Sequence, residues 1–132
     1  MATIRTFEEL EAWQEARQLV SLVYEHTRNP KVKNDFGYCG QIQRAAMSTM
    51  SNIAEGFGRH SDKEFAQFLN LSMASASEVS SMLYAGLDVG YLDENDFDVL
   101  QTLCKGTILI VSKLQGYLRR SSRPRGTSKS DG

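Results

Sequence analysis

With 132 residues, 41% of them hydrophobic and 23% charged, the chain is long enough to bury one core without metal or disulfide support, and its net charge of -1 does not mark the whole chain as a polyanion binder. The longest purely aliphatic run, residues 108–111, is far too short to span a bilayer, and the acidic start MATIRTFEELEAW has no apolar signal core, so a cytoplasmic protein without a membrane role is expected. Cys39 and Cys104 lie far apart and belong to no CxxC or Cys/His cluster, which argues against a metal or redox site and for two buried free thiols.

In chain order, Thr6-Phe7-Glu8-Glu9 reads as a capping box that starts a first helix near Phe7. Leu10, Trp13, Ala16 (or Arg17), Val20, Val23 and Tyr24 then recur at three- and four-residue intervals as an apolar stripe, and Asn29-Pro30 ends it. Residues 30–38 read as a connection. A second helix is expected from about Cys39 to about Phe57, with Ile42, Ala46, Thr49, Ile53 and Phe57 on one side and Gln41, Arg44, Ser48, Asn52, Glu55 and Arg59 on the other. Ser61-Asp62-Lys63-Glu64 is another capping box. It opens a third helix along Phe65, Phe68, Leu69, Ser72, Ala76, Val79, Leu83 and Leu87, closed by Gly90-Tyr91-Leu92. Asp93 caps a fourth, with Phe97, Leu100, Leu103 (or Cys104), Thr107, Ile110 (or Val111), Leu114 and Tyr117 (or Leu118) as its stripe, fading near Arg120. No alternating strand pattern occurs. The expected fold is all-α, an antiparallel up-down four-helix bundle over residues 1–118.

Charge is uneven along the chain. Residues 119–132 carry Arg119, Arg120, Arg123, Arg125 and Lys129 against Asp131, a basic tail of +4 on a body of -5. A Ser/Gly/Pro-containing basic end of this kind is expected to be disordered and solubilising, or else to add salt-dependent affinity for nucleic acid.

The stretch MSNIAEGFGR, residues 50–59, raises the question of chemistry directly. Asn52, Glu55 and Arg59 share a helix face, yet one carboxylate without a second carboxylate, a nucleophile-base pair or a ligand set lacks the partners that acid-base or hydrolytic catalysis needs. A Glu-Arg pair four residues apart reads instead as a surface pair or a lock at the helix corner. Gly56-Phe57-Gly58 follows no strand and lacks the Lys-Ser/Thr of a phosphate loop, so its glycines serve geometry: a left-handed cap at Gly58 and close backbone approach at Gly56. His26 and His60, near helix ends, read as capping or surface residues, and Ser72, Ser75 and Ser77 as packing residues. What stands out is the polar side of the second helix, built from the short hydrogen-bonding groups Gln41, Ser48 and Asn52, with Ser75 and Glu78 similar on the third. Such faces suit a subunit interface or a lined channel.

QIQRAAMSTMSNIAEGFGRHSDKEFAQFLNLSMASASEV, residues 41–79, resembles the central block of the small bacterial four-helix-bundle proteins first noticed as reading frames in intervening sequences of 23S ribosomal RNA genes. The similarity extends upstream through Phe7, Leu10, Trp13, Ala16 and Tyr24 and downstream through Gly90-Tyr91-Leu92. Members of that family also resemble the accessory variability protein of diversity-generating retroelements, a basic ring-shaped bundle associated with reverse transcriptase and nucleic acid. The resemblance implies a non-enzymatic protein with no cofactor or small-molecule substrate, assembling with itself as a homopentameric ring. Its implied partner is RNA or a nucleic-acid-handling protein; the alternative is an adaptor ring that binds only protein. Gln41, Arg44, Ser48, Ser51, Asn52, Glu55, Gly56, Arg59, Ser75 and Glu78 match the family pattern. The chain departs from it at Met50, where a proline is frequent, at Ala74 and Ser80, where Gly and Glu are, and at Cys39, where a Thr or Ser cap is.

Overall fold

The computed structural model describes residues 3–121, and among these every regular element is helical. After a short 3-10 turn, Phe7–Glu9, come α1 (Glu11–Thr27), α2 (Phe36–Phe57), α3 (Asp62–Asp88) and α4 (Glu94–Ser121). Each helix packs against its neighbours in sequence and α4 closes back on α1, as an up-down bundle requires. None of these helices is long and apolar enough to cross a membrane.

Two apolar clusters are stacked along the bundle axis. Leu19, Val23, Ile42, Val79, Leu83 and Leu100 anchor one, and Leu10, Ile53, Phe65, Leu69, Val111 and Leu118 the other. Burying each such side chain contributes about 1.5–3 kcal/mol, which is why four stripes that are marginal alone hold together once joined. Thr49, Ser72 and Thr107, all fully buried, lie in sequence between the two sets on their own helices. Thr49 and Thr107 donate back to the carbonyls of Ala45 and Leu103, while Ser72 donates across to Thr49 O at 2.7 Å. No buried side-chain polar atom among the described residues is left without a partner. Where the fourth stripe left alternatives, Cys104, Val111 and Leu118 are the buried members. In α1 the buried line is Ala12, Ala16, Leu19 and Val23, so the fully buried Leu19 replaces the half-buried Val20.

Several helix ends differ from expectation. Thr6 does not cap: its hydroxyl donates to Glu9 Oε2 at 3.3 Å, and the chain turns extended at Leu10 before α1 begins. The break lets Phe7 set its ring edge-on against Trp13, 5.1 Å between centroids, while Leu10 enters the core. α2 starts at Phe36 because Asp35 Oδ1 accepts from Tyr38 N at 3.1 Å; Cys39 is no cap, its buried thiol donating to Val32 O at 3.3 Å. Gly58 ends α2 with φ -80°, not left-handed. The left-handed residue is Gly90, φ 85°, where Gly90 N and Tyr91 N return to Leu87 O and Gly86 O; a side chain at that φ would be strained. Ser61 caps α3 as expected, accepting from Glu64 N at 3.2 Å, and Asp93 Oδ1 accepts from Asp96 N at 2.7 Å at the start of α4.

α4 continues through Ser121, so Arg119 and Arg120 stand on its last turn rather than in a tail. Ser121 Oγ donates to the Asp62 carboxylate, joining that turn to the start of α3. Arg123, Arg125 and Lys129 lie outside the described residues.

His26 is neither exposed nor a cap. It is 8% exposed and shares a 2.8 Å hydrogen bond between Nε2 and the Tyr38 hydroxyl, because the C-terminal end of α1 is covered by Tyr38 of α2. Tyr38 in turn meets Tyr91 edge-on at 5.1 Å, and Tyr91 Oη donates to Asp35 Oδ2 at 2.6 Å. Burial lowers the His26 pKa, opposed by the Asp96 charge, and raises that of Tyr38, so both are held neutral. Burial also pushes the Cys104 thiol up to about 11 and raises Cys39; the two cysteines are buried, free and poorly disposed to ionise.

Candidate interaction surface

α2 and α3 are the most closely packed pair, and their approach is decided at Gly56. A β-carbon there would lie 2.6 Å from Phe68 Cβ and 2.8 Å from Phe65 Cδ1, so only glycine lets the two backbones meet at this height. With the helices that close, the short polar side chains of α2 reach α3 without long linkers. Ser75 Oγ donates to Ser48 Oγ at 2.9 Å, and Asn52 Nδ2 donates to the carbonyl and hydroxyl of Ser48 at 2.8 and 2.9 Å. Toward the N-terminal end of α2, Gln41 Nε2 donates to Glu78 Oε2 at 3.0 Å. At the other end Arg59 pairs with Glu55 at 2.9 Å and its guanidinium lies 4.5 Å from the Phe68 ring centroid.

The seam therefore unites Gln41, Ser48, Asn52, Glu55, Gly56, Arg59, Ser75 and Glu78, eight of the residues selected from the sequence. Arg44 and Ser51 are exposed on the same helix and enter none of these hydrogen bonds. The Arg44 guanidinium folds back along α2, where a β-carbon at Gly40 would meet Nη1 at 3.1 Å. Glu55 and Arg59 are solvated, so the pair holds the corner with little energy of its own.

Two residues on this face escaped the sequence reading. Met47 is 42% exposed and Leu71 53% exposed; Met47 lies one turn after Arg44, and Leu71 one turn before Ser75. A single apolar residue among polar wheel positions carries no sequence signal, and only the packing of the other stripes shows that these two were left outside the core. The result is a satisfied polar seam on two helices that also expose a thioether and an aliphatic side chain. Among the described residues no group of three or more His, Cys, Asp or Glu side chains could hold a metal ion.

A family model described as 23S rRNA-intervening sequence protein matches residues 8–113. No curated protein matches the chain. Among solved structures, a protein of unknown function from the S23 ribosomal protein family of Bacteroides thetaiotaomicron VPI-5482 superposes with a TM-score of 0.70 at 19% identity, over 78% of this chain and 97% of that one. At that identity the likeness is one of fold.

Proposed function

Because the chain belongs to the 23S rRNA-intervening sequence protein family, we propose that it acts in the cytoplasm without catalysis, as a self-assembling interaction protein. Its outer α2–α3 face forms the contact between copies in a homopentameric ring, and the assembled ring engages RNA or a protein that handles nucleic acid. The observation that carries this reading is the hydrogen-bonded α2–α3 seam flanked by exposed Met47 and Leu71. Directional groups already held in place by intramolecular bonds present a fixed pattern to a neighbour, and the two apolar side chains supply area that becomes favourable only when covered.

Light scattering after size-exclusion chromatography tests the assembly. A mass near five times the 14.8 kDa protomer is expected, and Met47→Glu with Leu71→Glu should lower it by placing charge in the contact. A monomer at micromolar concentration would contradict the ring. The acidic body favours a second reading, an adaptor ring that binds only protein, since polyanions are repelled unless a basic element intervenes. RNA binding measured against salt separates the two. Affinity falling steeply with salt in the full chain, and weakened in a chain ending at Ser121, supports the nucleic-acid role; no binding at low salt leaves the adaptor. Ending the chain earlier would remove Leu118, a buried core residue.

A further inference from the structure

The end of the bundle away from the Gly56 corner holds a cleft of about 360 Å³ between the last turn of α1 and the first turns of α4. Its walls are Leu22, Leu92, Val99 and Leu100, with Tyr91 beside them; Glu25 and Asp96 stand exposed at its edge, and His26 forms part of its lining. We propose that this cleft binds a small organic cation, a primary amine carried on a compact apolar body, with the ammonium held by Glu25 and Asp96 and the body packed on Leu22, Leu92 and Leu100.

The charge of the lining selects that chemistry. The last turn of α1 and the first turn of α4 bring helix ends of opposite partial charge to the cleft, so the helix dipoles offset each other and the side chains set the preference. The two carboxylates outnumber the single cation of the lining, Arg28, and the adjoining stretch 88–98 carries Asp88, Asp93, Glu94, Asp96 and Asp98 without one Lys or Arg. His26 lines the cleft with one ring nitrogen on the Tyr38 hydroxyl, and burial keeps its imidazole neutral, so it adds no charge that would repel an amine. An anion would face both carboxylates. A metal ion lacks a sufficient ligand set among the described residues. The volume sits near the lower end of small-molecule pockets. The lining comes from the C-terminal end of α1, from α4 and from the turn before α4, apart from the α2–α3 seam.

The probe is phenethylamine, titrated into the full-length protein at low salt and about pH 7.5 while backbone amide resonances are followed, with phenethyl alcohol and phenylacetate as neutral and anionic counterparts. Saturable shifts confined to residues 22–29 and 91–100 are expected for the amine, with affinity at least about tenfold weaker for the alcohol and for the Glu25→Gln, Asp96→Asn double variant. Both substituted side chains are exposed, so the folded amide spectrum should be retained. The proposal is overturned if phenethylamine gives no saturable shift up to about 10 mM, if phenylacetate binds as tightly, or if the double variant binds the amine unchanged.

Discussion

Replacing Gly56 by alanine tests the helix approach on which the α2–α3 seam depends. Ordinary carbon contact begins at 3.4 Å and the added methyl would sit 2.6 Å from Phe68 Cβ, so the helices must separate by about 0.8 Å at that height. Phe68 Cβ is fixed to the backbone and cannot rotate away, and the Phe65 ring is buried edge-on against Phe57 at 6.0 Å. Overpacking of this kind costs about 1–3 kcal/mol, while alanine gains about 0.5–1 kcal/mol over glycine in a helix, leaving a net loss of up to about 2.5 kcal/mol. Gly40→Ala in the same helix is the matched control. There the near atom is the flexible tip of Arg44 at 3.1 Å, which can swing aside, so the propensity gain should survive as about 0.5 kcal/mol of added stability. Thermal unfolding followed by circular dichroism at one protein concentration should show Gly56→Ala melting below the unaltered protein, by up to about 10 °C, and Gly40→Ala slightly above it. If Gly56→Ala melts at or above the unaltered protein, or shifts by the same amount as Gly40→Ala, close approach at Gly56 is not what holds α2 against α3.

A double-mutant cycle on Glu55→Ala and Arg59→Ala should return a coupling of only about 0.3–0.5 kcal/mol, because both side chains are solvated; a coupling above about 1 kcal/mol would mean that the pair is covered in solution. The lowered His26 pKa makes the folded state bind fewer protons than the unfolded chain. Stability should thus be full above the ordinary value of 6.5 and fall as the pH drops through it, levelling off below the lowered folded value. Urea midpoints at about pH 7.5 and about pH 5.5 should differ more for the unaltered protein than for His26→Gln, and equal differences would remove His26 as the cause. Tyr91→Phe deletes the hydroxyl that chiefly lowers the Asp35 pKa, so the Asp35 carboxyl should titrate at higher pH in the variant when followed by carbon NMR; an unchanged titration would show that this hydrogen bond does not hold in solution.

Four helices, their order and the greater part of their buried faces follow from residue spacing, because an amphipathic period of 3.6 needs only local geometry to be recognised. Ser61 and Asp93 were legible as caps for the same reason: a cap acts within three residues. Thr6 shows where local rules fail, since the pull of Leu10 and Phe7 toward the core overrode a well-formed capping sequence. Gly58 and Gly90 show it again. Both follow helices, but the left-handed turn falls at Gly90, where Tyr91 and Leu92 must fold back over the bundle end.

The helical class and the polar residues of α2 and α3 are written in neighbours a turn or less apart, and the up-down order in the short connections between helices. What those residues touch is settled by packing. That Ser48 meets Ser75, that Gly56 admits Phe65 and Phe68, and that Met47 and Leu71 remain outside depend on how far each helix rotates when four stripes share one core. His26 changes most. In the sequence it is a lone histidine near a helix end; in the bundle, Tyr38 from twelve residues on and Asp96 from another helix decide its burial and charge, and a cleft opens beside it. Such contacts join residues distant along the chain, and no local period encodes them.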